Sequence, residues 1–203
     1  MSVEYLVTSA GRSGSIFLSK LIGCCVDWHQ VTHTHDLVLP TINKNSVLVI
    51  CDRRDLLASI LSMCIAKRTN EYVEYSGKTI EPFDIGCDGP NSEFAYQFNW
   101  HRWYQQSCVT SETAKLYKNT EVFYFEDFIN NHQLVFDRLG IVPIRKVEET
   151  QKSPHNIKTL IRNYNQCKDT FDSLMASEVF RPHTAYDPLK ENRLDKIHND
   201  KIN

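Results

Sequence analysis

The sequence contains no apolar run approaching the ~20 residues that a membrane-spanning helix requires, so no part of it reads as a membrane span. Nor does it carry a surplus of basic charge: 23 Lys and Arg stand against 25 Asp and Glu, for a formal net charge of -2. Proteins that neutralise a polyphosphate backbone concentrate Lys and Arg on one face, so nucleic acid is not expected as a partner and any anion site must be local. The cysteines show neither CxxC pairing nor zinc-ligand spacing. There are seven of them (Cys24, Cys25, Cys51, Cys64, Cys87, Cys108 and Cys167), an odd number in a chain too long to depend on disulfide staples, and they read as buried thiols. The chain enters a strand-like run at residues 3–8 with no basic region and apolar stretch before it; with the thiols, this places the protein in a reducing compartment, the cytoplasm.

What is present is an ordinary globular composition. Of 203 residues, 41% are hydrophobic and 24% charged, enough to bury one sizeable core, and a single domain over residues 1–187 is expected, followed by a polar tail over 188–203. Three strand-to-helix units can be read. A short β-prone run at 4–9 stops at Gly11-Arg12-Ser13-Gly14, after which Ile16, Phe17, Leu18, Leu21 and Ile22 recur with helical spacing. The apolar run 47–51 ends at Asp52-Arg53-Arg54-Asp55 and passes into a helix, apolar on nearly every side, over 56–65. The run 121–125 is strand-like, Glu126-Asp127 begins a turn, and a helical pattern ends at Gly140. Strands alternating with helices predict an α/β fold with a mainly parallel sheet, whose ligands bind beyond the carboxyl ends of the strands. Residues 68–91, with Gly77, Pro82, Gly86, Gly89 and Pro90, read as a long surface loop able to serve as a lid or to bind the acceptor, and 94–117 as an aromatic-rich helix.

Two stretches point to anion chemistry. Small residues in Thr8-Ser-Ala-Gly-Arg-Ser-Gly-Ser15 let the backbone curl so that several N–H groups face one anion at the start of the next helix, a phosphate cradle. The lysine of GxxxxGK[ST] is missing, which counts against a nucleoside triphosphatase or a small-molecule kinase, and Arg12 offers a charge from inside the loop instead. The second stretch is the Arg53-Arg54 turn, followed by Ser59 and Ser62 on one helix face. Between the two lies Val31-Thr-His33-Thr-His35-Asp36. A neutral imidazole there can accept a proton from an attacking hydroxyl. Two histidines on one strand face, with His29 nearby, also allow a metal site, although no third ligand stands at firm spacing.

Gly11-Arg12-Ser13-Gly14-Ser15-Ile16-Phe17 resembles the phosphosulfate loop of the sulfotransferases that use 3′-phosphoadenosine 5′-phosphosulfate (PAPS), commonly Pro-Lys-Ser-Gly-Thr-Thr-Trp. By that resemblance Gly11, Arg12, Ser13, Gly14, Ser15, Ile16 and Phe17 would hold the nucleotide, with Arg12 in place of the family's lysine and Phe17 in place of its tryptophan. Lys to Arg keeps the charge but replaces a point charge with a planar fork. Arg54 and Ser62, eight positions apart, resemble the family's 3′-phosphate segment, with Arg53 and Ser59 as neighbours; a second register aligns Asp55 and Ser59 but puts Cys51 where the arginine should be. Thr34-His35-Asp36 and Thr32-His33 both resemble the element that carries the family's catalytic base, and His35 is preferred over His33. Glu126 reads as a carboxylate fixing loop amides, or as a second acid/base group. Leu160-Ile-Arg-Asn-Tyr164 is similar to the family's Ile-x-Asn-Tyr element, whereas its glycine-rich nucleotide-closing segment has no visible equivalent.

The resemblance, over residues 4–166, implies a P-loop-like three-layer α/β/α fold. It implies PAPS as co-substrate, PAP as product, no metal, and a small-molecule or carbohydrate acceptor offering a hydroxyl or amine. A kinase, or a nucleotide-binding protein without catalysis, is the alternative.

Overall fold

A computed structural model describes residues 3–35, 45–70, 80–110, 117, 119–147 and 156–177, with 105–110 by their backbone. The elements are β1 (Tyr5–Thr8), α1 (Ser15–Gly23), a short 3-10 turn (Trp28–Gln30), β2 (Val31–Thr34), β3 (Val47–Asp52), α2 (Leu56–Thr69), α3 (Glu93–Thr110), β4 (Asn119–Tyr124), α4 (Phe125–Phe128), α5 (Gln133–Leu139), α6 (Ile157–Leu160) and α7 (Tyr164–Ala176). The chain clusters into two compact units, residues 1–54 with 104–148 and 182–203, and residues 55–103 with 149–181.

The first unit holds an all-parallel sheet in the order β2-β1-β3-β4. Every residue of β1 and β3 is buried. This is the signature of parallel strands covered on both faces, and it explains why both appear in the sequence as continuous apolar runs rather than alternating ones. Val7, Val49 and Phe123 from the strands meet Phe17, Leu18, Leu21 and Ile22 from α1 and Val135 and Phe136 from α5 in one core. α5 ends at Gly140, whose φ of 63° is left-handed, as its place after the last apolar residue suggested. The register aligns the carboxyl ends: Thr8 pairs with Thr34 of β2 and Ile50 of β3, and Asp52 pairs with Tyr124 of β4. The glycine loop, the histidines, the arginines and Glu126-Asp127 therefore all leave the sheet along one edge.

In the second unit α2 begins at Asp55, whose Oδ1 accepts from the Ala58 N–H at 2.9 Å, and ends at Asn70 in the left-handed conformation. Here the expectation of a surface loop over 68–91 needs correction. Residues 68 and 69 complete α2, residues 71–79 lie outside the described residues, and in the remainder Phe83, Ile85 and Cys87 are buried beside Ile60, Leu61, Phe94 and Phe98 while the residues between and after them are exposed. The cause is strand-like pairing. Phe83 N–H donates to the Leu160 carbonyl at 3.0 Å, Arg162 N–H to the Phe83 carbonyl at 2.9 Å, and the Asn163 side chain bonds both backbone groups of Ile85 at 3.0 and 2.8 Å. Pro82 and Gly86 there lie in a tethered extended segment. The expected polar tail lies outside the described residues. Among those described, no helix is long and apolar enough to cross a membrane, and the six cysteines whose side chains are described are free thiols.

Candidate functional site

The site in the first unit begins with backbone geometry. Gly11 (φ 95°), Arg12 (φ 56°) and Gly14 (φ 84°) are all left-handed, so the chain between β1 and α1 is wound in the sense that L-residues avoid. Arg12 is one of two non-glycine residues with positive φ among those described, and a residue held so costs about 1–3 kcal/mol unless its surroundings over-determine it. Glycine is obligatory at 14 for a second reason. A Cβ there would stand 2.3 Å from Cδ2 of the Phe125 ring, which packs directly on the loop. The first N–H groups of α1 follow, the positive end of the helix dipole.

Side chains then fix the loop to the neighbouring strand. Ser9 Oγ accepts from Gly11 N–H at 3.2 Å and donates to Ser15 Oγ at 2.8 Å. Ser15 Oγ lies 2.9 Å from His33 Nε2. His35 Nδ1 lies 3.0 Å from the Ser9 carbonyl and 3.2 Å from Ser9 Oγ, and the two imidazoles meet edge to face at 4.6 Å. A carbonyl only accepts, so Nδ1 of His35 carries the proton. In the neutral ring Nε2 then has the lone pair. Burial, reinforced by His35, pushes the His33 pKa down to about 4, which keeps that imidazole neutral at physiological pH. His33 is half-buried on β2 and His35, just beyond the strand, is exposed, so the better-exposed imidazole is the one with a free basic nitrogen.

The cations sit on the other side of the loop. Burial, and then the nearby charge of Arg53, lower the Arg12 pKa. Arg53 Nη1 donates to the Arg12 carbonyl at 3.5 Å, its Nε stands 3.6 Å from Glu126 Oε1, and its guanidinium lies 5.2 Å from the Phe125 ring centre. Arg54 forms a two-pronged ion pair with Asp127, at 2.5 and 2.6 Å, and stacks 4.2 Å over Tyr124. Glu126 Oε2 accepts from the Arg54 N–H at 3.1 Å, the amide-fixing role read for it in the sequence. The Cys51 thiol, buried and with its pKa pushed well up by that burial, donates to the Ser13 carbonyl at 3.0 Å. The Ser13 hydroxyl and Arg53 Nε are buried and make no hydrogen bond. Phe17 turns into the core against Phe128 and His132.

Of the residues singled out in the sequence, Gly11 to Ile16, His33, His35, Arg53 and Arg54 thus gather at one sheet edge of the first unit, whereas Phe17 faces the core. Ser59, buried, and Ser62, half-buried, belong to α2 in the second unit. Sequence reasoning missed Ser9, Phe125 and Asp127. Ser9 was readable only as one small residue of the cradle, Phe125 as the end of a strand, and Asp127 as part of a turn; their roles depend on which strands are neighbours. Among the described residues, no three His, Cys, Asp or Glu side chains are grouped so as to hold a metal ion. Compared with protein-family models, with curated proteins and with solved structures, the chain gives no match.

Proposed function

We propose that the protein is a sulfotransferase with a P-loop-like, three-layer α/β/α architecture, moving a sulfuryl group from PAPS to a hydroxyl or amine of its acceptor and releasing PAP. The observation that carries this reading is a left-handed glycine loop that carries a half-buried guanidinium, with two imidazoles bonded to that same loop or its flanking residues. Ser13 Oγ and Arg53 Nε, both buried without a hydrogen bond, are donors suited to anionic oxygens.

In this reading the acceptor oxygen attacks sulfur while the bond from sulfur to the bridging phosphate oxygen breaks. Charge builds on that oxygen, and Arg12 with the loop N–H groups stabilises it. The acceptor proton passes to His35 Nε2, whose ring is oriented by its bond to the Ser9 carbonyl. His33, held neutral and fixed on Ser15, packs against His35 and orients it.

The test is PAP release from PAPS, to water or to a panel of phenolic and sugar acceptors. Arg12→Ala should cost about two to three decades in rate, from a contact worth ~2 to 4 kcal/mol in the transition state, and His35→Ala about two decades or more. Wild-type rates in both variants would remove the proposed roles.

A further inference from the structure

Arg53 and Arg54 are adjacent in sequence and opposite in circumstance. Arg54 is satisfied: both terminal nitrogens bond the carboxylate of Asp127, its guanidinium lies over the Tyr124 ring, and 41% of its side chain is exposed. Arg53 is not. Its side chain is 21% exposed, its one guanidinium hydrogen bond is a 3.5 Å contact to a carbonyl, and Glu126 at 3.6 Å is beyond hydrogen-bonding distance from its buried Nε. A planar fork with five N–H donors, drawn partly out of water and given so little in return, is built to receive an anion.

Its position says which anion. The carbonyl it reaches belongs to Arg12, inside the glycine loop, and the ring beneath it is that of Phe125, the same ring that closes on Gly14. Two guanidinium groups therefore converge on one loop, close enough for the charge of Arg53 to lower the pKa of Arg12. Like charges held close together repel, and an anion between them relieves the cost.

We infer that Arg53 belongs to the anion pocket of the glycine loop, gripping together with Arg12 the phosphate at the 5′ end of the nucleotide, while Arg54 is a structural residue locked by Asp127. The identity of the ligand rests on the sulfotransferase reading; the pairing of Arg53 with the loop does not. It adds a second cation to the leaving-group end and takes Arg54 out of the 3′-phosphate role expected for it.

Calorimetric titration of the full chain with PAP and with 5′-AMP, which lacks the 3′-phosphate, separates the two ends. Arg53→Ala should weaken both ligands by the same factor, roughly tenfold to a hundredfold, and Arg53→Lys by less, since it keeps the charge and loses the fork. Arg54→Ala should leave the ratio of the two affinities as in the wild type. A selective loss of PAP binding in either arginine variant would assign that arginine to the 3′-phosphate and overturn the inference, as would unchanged binding of both ligands in Arg53→Ala. Should the wild type bind neither nucleotide yet bind inorganic pyrophosphate in an Arg53-dependent manner, the sulfotransferase reading fails and the shared pocket stands. Arg53→Lys keeps the test valid if the alanine variant does not fold.

Discussion

His33 Nε2 stands 2.9 Å from the hydroxyl of Ser15, so an imidazole on β2 is bonded to the residue that opens α1. The contact exists because β2 pairs with β1 in parallel, Val7 against His33, which brings the second strand's side chains level with the loop that leaves the first. It has an energetic consequence that acid should expose.

Burial depresses the His33 pKa to about 4 in the folded chain, against an ordinary value of 6.5. Below 6.5 the unfolded chain binds a proton that the folded chain refuses, so stability present above that pH is lost as pH falls towards 4. After allowance for the half-exposed position of the ring, the loss is about 1 kcal/mol. Urea denaturation at pH 7 and pH 4.5 should show the wild type losing that much more than His33→Gln. Equal losses in both proteins would mean that the imidazole titrates freely.

Gly14 meets two constraints at once, a φ of 84° and a Phe125 ring atom 2.3 Å from where a Cβ would go. Gly14→Ala should destabilise the protein by about 1–3 kcal/mol. Phe125→Leu in the same background should recover part of that loss, because it opens space but leaves the backbone strain. Thermal melts of the single and double variants measure both parts, and full recovery would show that φ contributes nothing.

Arg54 and Asp127 form a two-pronged pair, yet their side chains are 41% and 39% exposed, and exposed pairs are worth little. A double-mutant cycle with Arg54→Ala and Asp127→Ala should give a coupling of about 0.5–1 kcal/mol, smaller in 1 M salt. Coupling indistinguishable from zero at low salt would mean that the pair does not hold the turn.

Much of this arrangement was legible in the residues. The glycine loop, the strand-to-helix units and a mainly parallel sheet follow from continuous apolar runs broken by Gly11-Arg12-Ser13-Gly14 and Asp52-Arg53-Arg54-Asp55, because buried parallel strands leave such runs. His33 and His35 were legible as candidates because both follow a threonine in the interval between the two anion-binding stretches. What was not legible depends on pairings between distant segments. Asp127 meets Arg54 because β4 lies beside β3 in register, and no local pattern states that. The segment around Phe83 looked like a loop because its partner, Ile161, lies far along the chain, and a strand-like pairing of a few residues leaves no periodicity. The positive φ of Arg12 was hidden as well, since an arginine gives no signal of a left-handed conformation.

The most direct measurement is calorimetric titration of the wild-type chain with PAP, set against ATP with magnesium. A loop that carries Arg12 in place of the P-loop lysine, with two imidazoles bonded to its flanks, should bind PAP in a manner abolished by Arg12→Ala and take up ATP with magnesium far more weakly. Preference for ATP with magnesium, or PAP binding indifferent to Arg12, would contradict the assignment of this loop to sulfuryl transfer.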